Sequence, residues 1–300
     1  MVVRIIGSAA GGGSPQWNCN CRVCATVRAG NGHAVARTQS SIAVRADDGP
    51  WFLVNASPDL RQQLADLPAP AELTDALRVT PVAGIVLTDA EIDHTAGLLL
   101  LRVSRAPLEV WSSEDVRVAL TDHYPVLRML ERYCGVRWSR LDADEPVVLG
   151  GVLEIEAFPT GGDPPLYMGS GAGSRMTAMG LTIRDRETGG VLSYAPALES
   201  IDDELAERLR ASDVVCVDGT FWTNDELVSL GLAERDARAM GHMPLTGPGG
   251  SLATLEALPG RAVLVHVNNT NPILLDDSEE RAIVTRTGID VAHDGMEIRL

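Results

Sequence analysis

Residues 84–102 read G-I-V-L-T-D-A-E-I-D-H-T-A-G-L-L-L-L-R, and the fold follows from how this stretch is parsed. Gly84 to Leu87 is a short apolar run with β-branched residues, the pattern of a buried strand. Thr95 to Arg102 opens an apolar-faced helix. Between the two, Asp89, Glu91, Asp93 and His94 fall within six residues. A strand that ends in four side chains able to ligate a metal, and then feeds a helix, marks a site. Three of the four are carboxylates, and burying them without a cation is costly.

Outward from this stretch, the N-terminal M-V-V-R-I-I-G (1–7) reads as a first strand, too short and polar-flanked for a signal peptide. The glycine-rich 7–15 is a loop placed near the active site; it lacks the Lys-Ser/Thr of a P-loop and the spacing of a dinucleotide fingerprint. Then comes W-N-C-N-C-R-V-C (17–24), where Cys19, Cys21 and Cys24 present three thiolates from one turn, as a tetrahedral structural Zn²⁺ requires. The fourth ligand of this element, which spans about 17–33, is left open between His33, Asn269 and another distant residue.

The rest of the chain alternates sheet and helix. Ser40–Val44 and Trp51–Asn55 form a hairpin around D-D-G-P, and Ser57 caps a helix with Pro58 at its first position. A helix-rich connection is expected over 67–83. Leu108–Trp111 is a strand, Ser112 and Asp115 form a capping box, and 124–133 is a helix. Val152–Phe158 is a strand, and the Gly/Pro-rich 159–175 is a long loop of the kind that binds substrate. Leu181–Arg184 and Val191–Tyr194 make a second hairpin, Ile201–Ala211 a helix, and 214–222 a buried strand carrying Asp218. His242 sits in the loop 239–244; a helix begins near Ser251; the strand 262–272 carries His266; and 290–300 is expected to be a last strand pair.

With 300 residues and 45 % hydrophobic content, the chain can bury a large core. No repeat or linker is evident, so a single domain over 1–300 is expected. Two successive runs of mixed β then α give an α/β class with two sheets between helices. No apolar run is long enough to span a membrane, and a cytoplasmic protein is expected. A formal charge of −16, with arginine as the only basic side chain besides histidine, argues against nucleic-acid binding. Cys134 and Cys216 read as apolar positions, and His123 and His293 lack partners at ligand spacing.

Three apolar strands thus end in ligand-type side chains: the 88–94 loop, Asp218 and His266. Their order and spacing resemble the metallo-β-lactamase superfamily, which implies an αββα four-layer sandwich of two mixed β-sheets flanked by helices. That family's H-x-H-x-D-H motif stands here as Asp89-Ala90-Glu91-Ile92-Asp93-His94, with Asp218 at the bridging aspartate and His266 at the last histidine. The blocks T-D-A-E-I-D-H-T, N-A-S-P-D-L, V-D-G-T-F-W, G-H-M-P and H-V-N-N-T-N-P, with C-x-C-x-x-C, are similar more closely to the pyrroloquinoline quinone (PQQ) biosynthesis family PqqB, from end to end.

The departures from the superfamily bear on chemistry. Both early histidines of the first metal site are acids here, and no histidine lies between His123 and His242 to supply the third. The second site keeps Asp93, His94 and His266, two histidines and one carboxylate, the facial set of non-heme Fe(II) oxygenases. One catalytic Fe(II) is expected, with Asp218 as a further ligand. Zinc in a crystal would not decide against iron, because Zn²⁺ binds such sites more tightly. Asp89 and Glu91 then orient ligands or move protons. His242 binds substrate or transfers a proton, or is a plain loop histidine. The resemblance implies hydroxylation of the tyrosine ring of a Glu-Tyr intermediate derived from the PqqA peptide, with other pathway proteins as candidate partners; pocket arginines, not assigned from sequence, could hold its carboxylates bidentately. The competing readings are a dinuclear zinc hydrolase and a carrier of PQQ towards export.

Overall fold

The computed structural model describes residues 1–67, 77–78, 80–143, 145–169 and 174–300. The connection expected over 67–83 lies largely outside them. Its strands are β1 (Val2–Gly7), β2 (Ser41–Arg45), β3 (Trp51–Val54), β4 (Val82–Val86), β5 (Leu108–Ser112), β6 (Val136–Arg140), β7 (Val147–Leu149), β8 (Leu153–Pro159), β9 (Met179–Asp185), β10 (Val191–Ala195), β11 (Val214–Asp218), β12 (Arg261–Val265), β13 (Asp290–Val291) and β14 (Glu297–Arg299). They form two seven-stranded sheets, ordered β14-β1-β2-β3-β4-β5-β6 and β13-β12-β11-β10-β9-β8-β7. Each sheet is mixed: β14 to β3 pair antiparallel and β3 to β6 parallel, while β7 to β10 pair antiparallel and β10 to β13 parallel. The two sheets thus repeat one layout, although the sequence carries no repeat.

Period-two alternation explains the layering. Val3 and Ile5 of β1 meet Ile155, Ile183, Cys216 and Val263 between the sheets. Val2 and Ile6 point the other way, to a layer with Leu60, Leu98 and Leu120. Val215 and Val217 of β11 face Leu205, Leu209 and Leu255 on the far side. Strands buried on both faces read as continuous apolar runs, which is why β4, β11 and β12 stand out in the sequence. The result is the expected αββα sandwich. Among the described residues no helix is long and apolar enough to cross a membrane.

Local expectations fail in four places. The helix expected to start at Ser57 spans Leu60–Ala65, and Ser57 Oγ instead donates to Gln63 Oε1 at 3.0 Å and accepts from Asp59 N. Ser113, not Ser112, caps the helix Glu114–Val118, accepting from Val116 N at 3.2 Å. The helix after the ligand loop is one α turn, Ile92–Thr95, continued as a 3₁₀ segment Ala96–Val103. The last two strands are not a pair: β13 adds to β12 and β14 crosses to β1. Strands β6 and β7 had no sequence signal, being short and partly exposed.

Gly97 shows what fixes the ligand loop against the sheet. Its N–H donates to Ala56 O at 2.8 Å, and Ala56 N donates to His94 O at 2.7 Å. A Cβ at Gly97 would lie 2.1 Å from Ser57 O, backbone that cannot turn away. Gly97→Ala is therefore expected to cost about 3 kcal/mol, at the upper end of overpacking penalties, read as a lower midpoint in denaturant unfolding.

Candidate metal centre

The site lies where the tips of β4, β11 and β12 meet, with the two sheets contributing from opposite sides. Asn55 adopts a left-handed backbone (φ 65°), and its side chain bridges to Thr88, donating to Oγ1 at 2.9 Å and accepting from Thr88 N at 3.0 Å. Thr88 Oγ1 donates to Asp89 Oδ2 at 2.8 Å. Asp89 in turn lies 2.7 Å from His94 Nδ1, and its Oδ1 accepts from Glu91 N at 2.9 Å. The loop is thus anchored from Asn55 inward, and Asp89 sets the ring of His94.

Asp93, His94 and His266 bring one ligand atom each within 4.8 Å of one another. Asp93 Oδ2 lies 3.9 Å from His94 Nε2 and 3.4 Å from His266 Nε2. His94 Nε2 is buried and has no hydrogen-bond partner among the described residues. Such a nitrogen costs about 1–3 kcal/mol if left bare, and a cation would remove that cost. The donor set therefore fits a metal. Without an ion the neighbouring carboxylates hold a proton on His94, which a bound cation would have to displace. Burial would raise Asp93 and lower His94. The pair overrides both effects: His94 and His266 hold Asp93 well below the carboxylate range, and Asp89 and Asp93 push His94 up to about 9. Burial keeps His266 below its ordinary value, in the neutral form that binds metal.

A second group, Asp218, His242 and His266, is equally compact but already internally bonded. Asp218 Oδ2 accepts from Leu198 N at 3.0 Å and lies 2.7 Å from His242 Nδ1, while Oδ1 accepts from Thr220 N at 2.9 Å. The His242 ring stacks on His266, centroids 5.3 Å apart. Sequence reading gave His242 substrate binding or proton transfer, or a plain loop role; the fold brings it against His266 and Asp218.

Asp89, Asp93, His94, His242 and His266 line a cavity of about 290 Å³. Its other walls include Ala10 and Gly11 of the N-terminal loop and Gly161, Gly162 and Asp163 of the long loop, as expected of both segments. At Gly11 a Cβ would come within 3.1 Å of Asp93 Oδ2. The long loop is tied down by Tyr167 Oη, donating to Ala90 O at 2.6 Å, and by Ser174 N, donating to Asp115 Oδ2 at 2.8 Å. Asp115, read from sequence as part of a cap, serves that loop instead. Glu91 is exposed as a residue, yet its carboxyl faces the cavity; burial on that side, with Asp89 and Asp93 nearby, pushes it up to about 7. No arginine is among the described lining residues, so the expected arginine clamp is absent from the wall.

The cysteines form a separate cluster, their sulfurs also within 4.8 Å of one another. Asn269 closes on it: its Nδ2 lies 3.2 Å from Cys24 Sγ, and its carbonyl 3.3 Å from Cys21 Sγ. His33 is turned away, exposed and 3.9 Å from Asp277. Three sulfurs with an amide side chain facing them fit a zinc ion. Burial and the neighbouring sulfurs push Cys21 up to about 12, a cost that a dication would offset.

Close by, Glu226 is buried, accepting from Thr270 Oγ1 at 2.5 Å and Trp222 N at 2.7 Å. Burial pushes its carboxyl up to about 7. The folded state thus favours the protonated form, and its contribution falls as pH rises from the unfolded value near 4.5 through 7, by up to about 3 kcal/mol. Glu226→Gln should remove that dependence, so the melting temperature of the variant relative to the parent should rise between pH 5 and pH 8.

The β-lactamase superfamily domain profile matches residues 50–267, and fold and site together define a metal-binding member of that class. Coenzyme PQQ synthesis protein B of Cupriavidus necator is 46% identical over 99% of this chain and 99% of its own length. That of Azotobacter vinelandii is 44% identical over 100% of both. The Zn²⁺-bound PqqB of Methylobacterium extorquens superposes with a TM-score of 0.91 at 35% identity, covering 100% of both chains. The chain belongs to the coenzyme PQQ synthesis protein B family. A diphosphatase of the PhnP family, 20% identical with a TM-score of 0.68 and covering 99% of this chain and 96% of that one, shares the fold.

Proposed function

We propose that the protein acts in PQQ biosynthesis as a non-heme iron oxygenase, hydroxylating the tyrosine ring of the PqqA-derived Glu-Tyr intermediate. The observation that carries this reading is the nitrogen/oxygen donor set of Asp93 Oδ2, His94 Nε2 and His266 Nε2, in which His94 Nε2 has no hydrogen-bond partner among the described residues. Two imidazoles and one carboxylate leave coordination positions free, and an Fe(II) held there supplies dioxygen activation. A dinuclear hydrolase needs a second free nitrogen/oxygen set, and in the group Asp218, His242 and His266 both Asp218 oxygens already accept hydrogen bonds among the described residues. We therefore assign the ion three protein ligands and give Asp218 the task of fixing His242.

The chain's own residues do the rest. Asp89 accepts from His94 Nδ1 and so turns Nε2 towards the ion. His242, with Nδ1 held by Asp218, offers Nε2 to take or return the phenolic or ring proton. Glu91, with a carboxyl that exchanges its proton near neutrality, faces the same cavity and serves as a second proton holder. Backbone N–H groups of the wall can receive the substrate's carboxylates, and the wall carboxylates its amine. We place the structural zinc on Cys19, Cys21 and Cys24, with Asn269, its amide turned to present Oδ1, in the fourth position.

Turnover of the Fe(II)-loaded protein should require O₂, with ¹⁸O from the gas appearing in the product. Equal product under strict anaerobiosis would sink the oxygenase reading in favour of a carrier or hydrolase.

A further inference from the structure

We propose that Thr220 is a positioning residue of the metal centre, whose hydroxyl fixes both the ring and the backbone of His266. The inference rests on the reading of Asp93, His94 and His266 as the ion's ligands. Thr220 follows the tip of β11 and is 2% exposed. Its Oγ1 lies 2.8 Å from His266 O, 2.9 Å from His266 Nδ1 and 3.2 Å from His242 Nδ1. A hydroxyl has one hydrogen to give and two lone pairs to receive. The carbonyl can only accept, so the hydrogen goes to His266 O. The oxygen is then an acceptor for both rings, and His266 Nδ1 must carry the proton.

That assignment leaves a bare lone pair on His266 Nε2, the atom 3.4 Å from Asp93 Oδ2. Thr220 thus does for His266 what Asp89 does for His94, but with a neutral group. The backbone half of its work is equally specific. His266 is one of the few non-glycine residues with a left-handed backbone, φ 54°. Such a conformation persists only where neighbours hold it, and the hydroxyl bond to its carbonyl is one such hold. Thr220 can act as a fixed point because its own main chain is pinned. Its N–H donates to Asp218 Oδ1 at 2.9 Å, and its carbonyl accepts from Asn268 N at 3.1 Å and Asn271 Nδ2 at 3.3 Å. His242 does not depend on Thr220 in the same way, since Asp218 holds its Nδ1 more closely at 2.7 Å.

The test is Co²⁺ affinity at the nitrogen/oxygen site, read by visible absorption against a competing chelator, in protein whose thiolate cluster retains zinc. Thr220→Val, which keeps the shape and removes the acceptor, should weaken Co²⁺ binding about 10–100-fold. Thr220→Ser, which keeps the hydroxyl, should bind close to the parent. Parent-like affinity in Thr220→Val, with binding lost in His266→Ala, overturns the inference and leaves the ligand set standing. Parent-like affinity in His266→Ala overturns the ligand set and the inference with it. The long-range ¹⁵N–¹H spectrum of the zinc-loaded parent protein gives a reading that needs no variant to fold: a proton on His266 Nδ1 is expected, and a proton on Nε2 overturns the proposal.

Discussion

His94→Ala is expected to lose one iron per chain and to lower turnover roughly a thousandfold or more, about 4 kcal/mol of metal-dependent stabilisation. The effect is large because this side chain has two tasks. Nε2 has no hydrogen-bond partner among the described residues and lies in the donor set with Asp93 and His266, and Nδ1 is the partner of buried Asp89 at 2.7 Å. Removing the ring leaves Asp89, 5% exposed, beside Asp93 and Glu91 without its counter-charge. Breaking a buried pair by deleting one partner costs about 3–5 kcal/mol, so the variant should also melt lower. Asp89→Asn separates the two tasks: it keeps an acceptor for Nδ1, and should weaken metal binding about 10–100-fold with a smaller loss of stability. Iron content by elemental analysis beside thermal melts checks both. A His94→Ala protein with full iron would refute the ligand assignment.

Cys24→Ser carries the second large effect. Cys24 is fully buried and its sulfur meets Asn269, so the cluster joins the helix Arg22–Ala29 to the loop directly after His266. Losing a zinc here removes a cross-link between segments some 245 residues apart. A loss of about 4 kcal/mol is expected, roughly 8–16 °C in melting temperature for a chain of this size. One zinc per chain should disappear with it. Unchanged zinc content and an unchanged melt would show that the three thiols are not a metal site.

What the sequence revealed and what it hid divide along physical lines. The strands that end in ligands were legible because both of their faces are buried, which leaves unbroken apolar runs ending abruptly in Asp or His. The layer order followed from those runs and the helices between them. Hydrogen-bond partners far apart along the chain left no such trace. Asn55 looks like the approach to a helix, yet it anchors Thr88. Thr220 looks like an ordinary residue after a strand, yet it meets two histidines. A positive φ at a non-glycine position, as at Asn55 and His266, has no compositional signature. The caps at Ser57 and Ser112 were misplaced by one or two residues because the neighbouring serine or aspartate offers the same chemistry, and tertiary contacts choose between them. Strands β6 and β7 were missed because short, half-exposed segments lack a clear alternation. No arginine lines the cavity among the described residues, and the sequence offers no way to choose which arginines could hold substrate.

The split of the ligands between the sheets bears on the order of events during synthesis. Asp93 and His94 belong to the sheet laid down first, whereas His266 is not translated until nearly nine-tenths of the 300 residues have been joined. A growing chain can pack its first sheet against helices with no cation bound at full strength. An ion on Asp93, His94 and His266 would therefore act as a lock, fully coordinated only once the later sheet has docked, and its occupancy would report that the two slabs have come together.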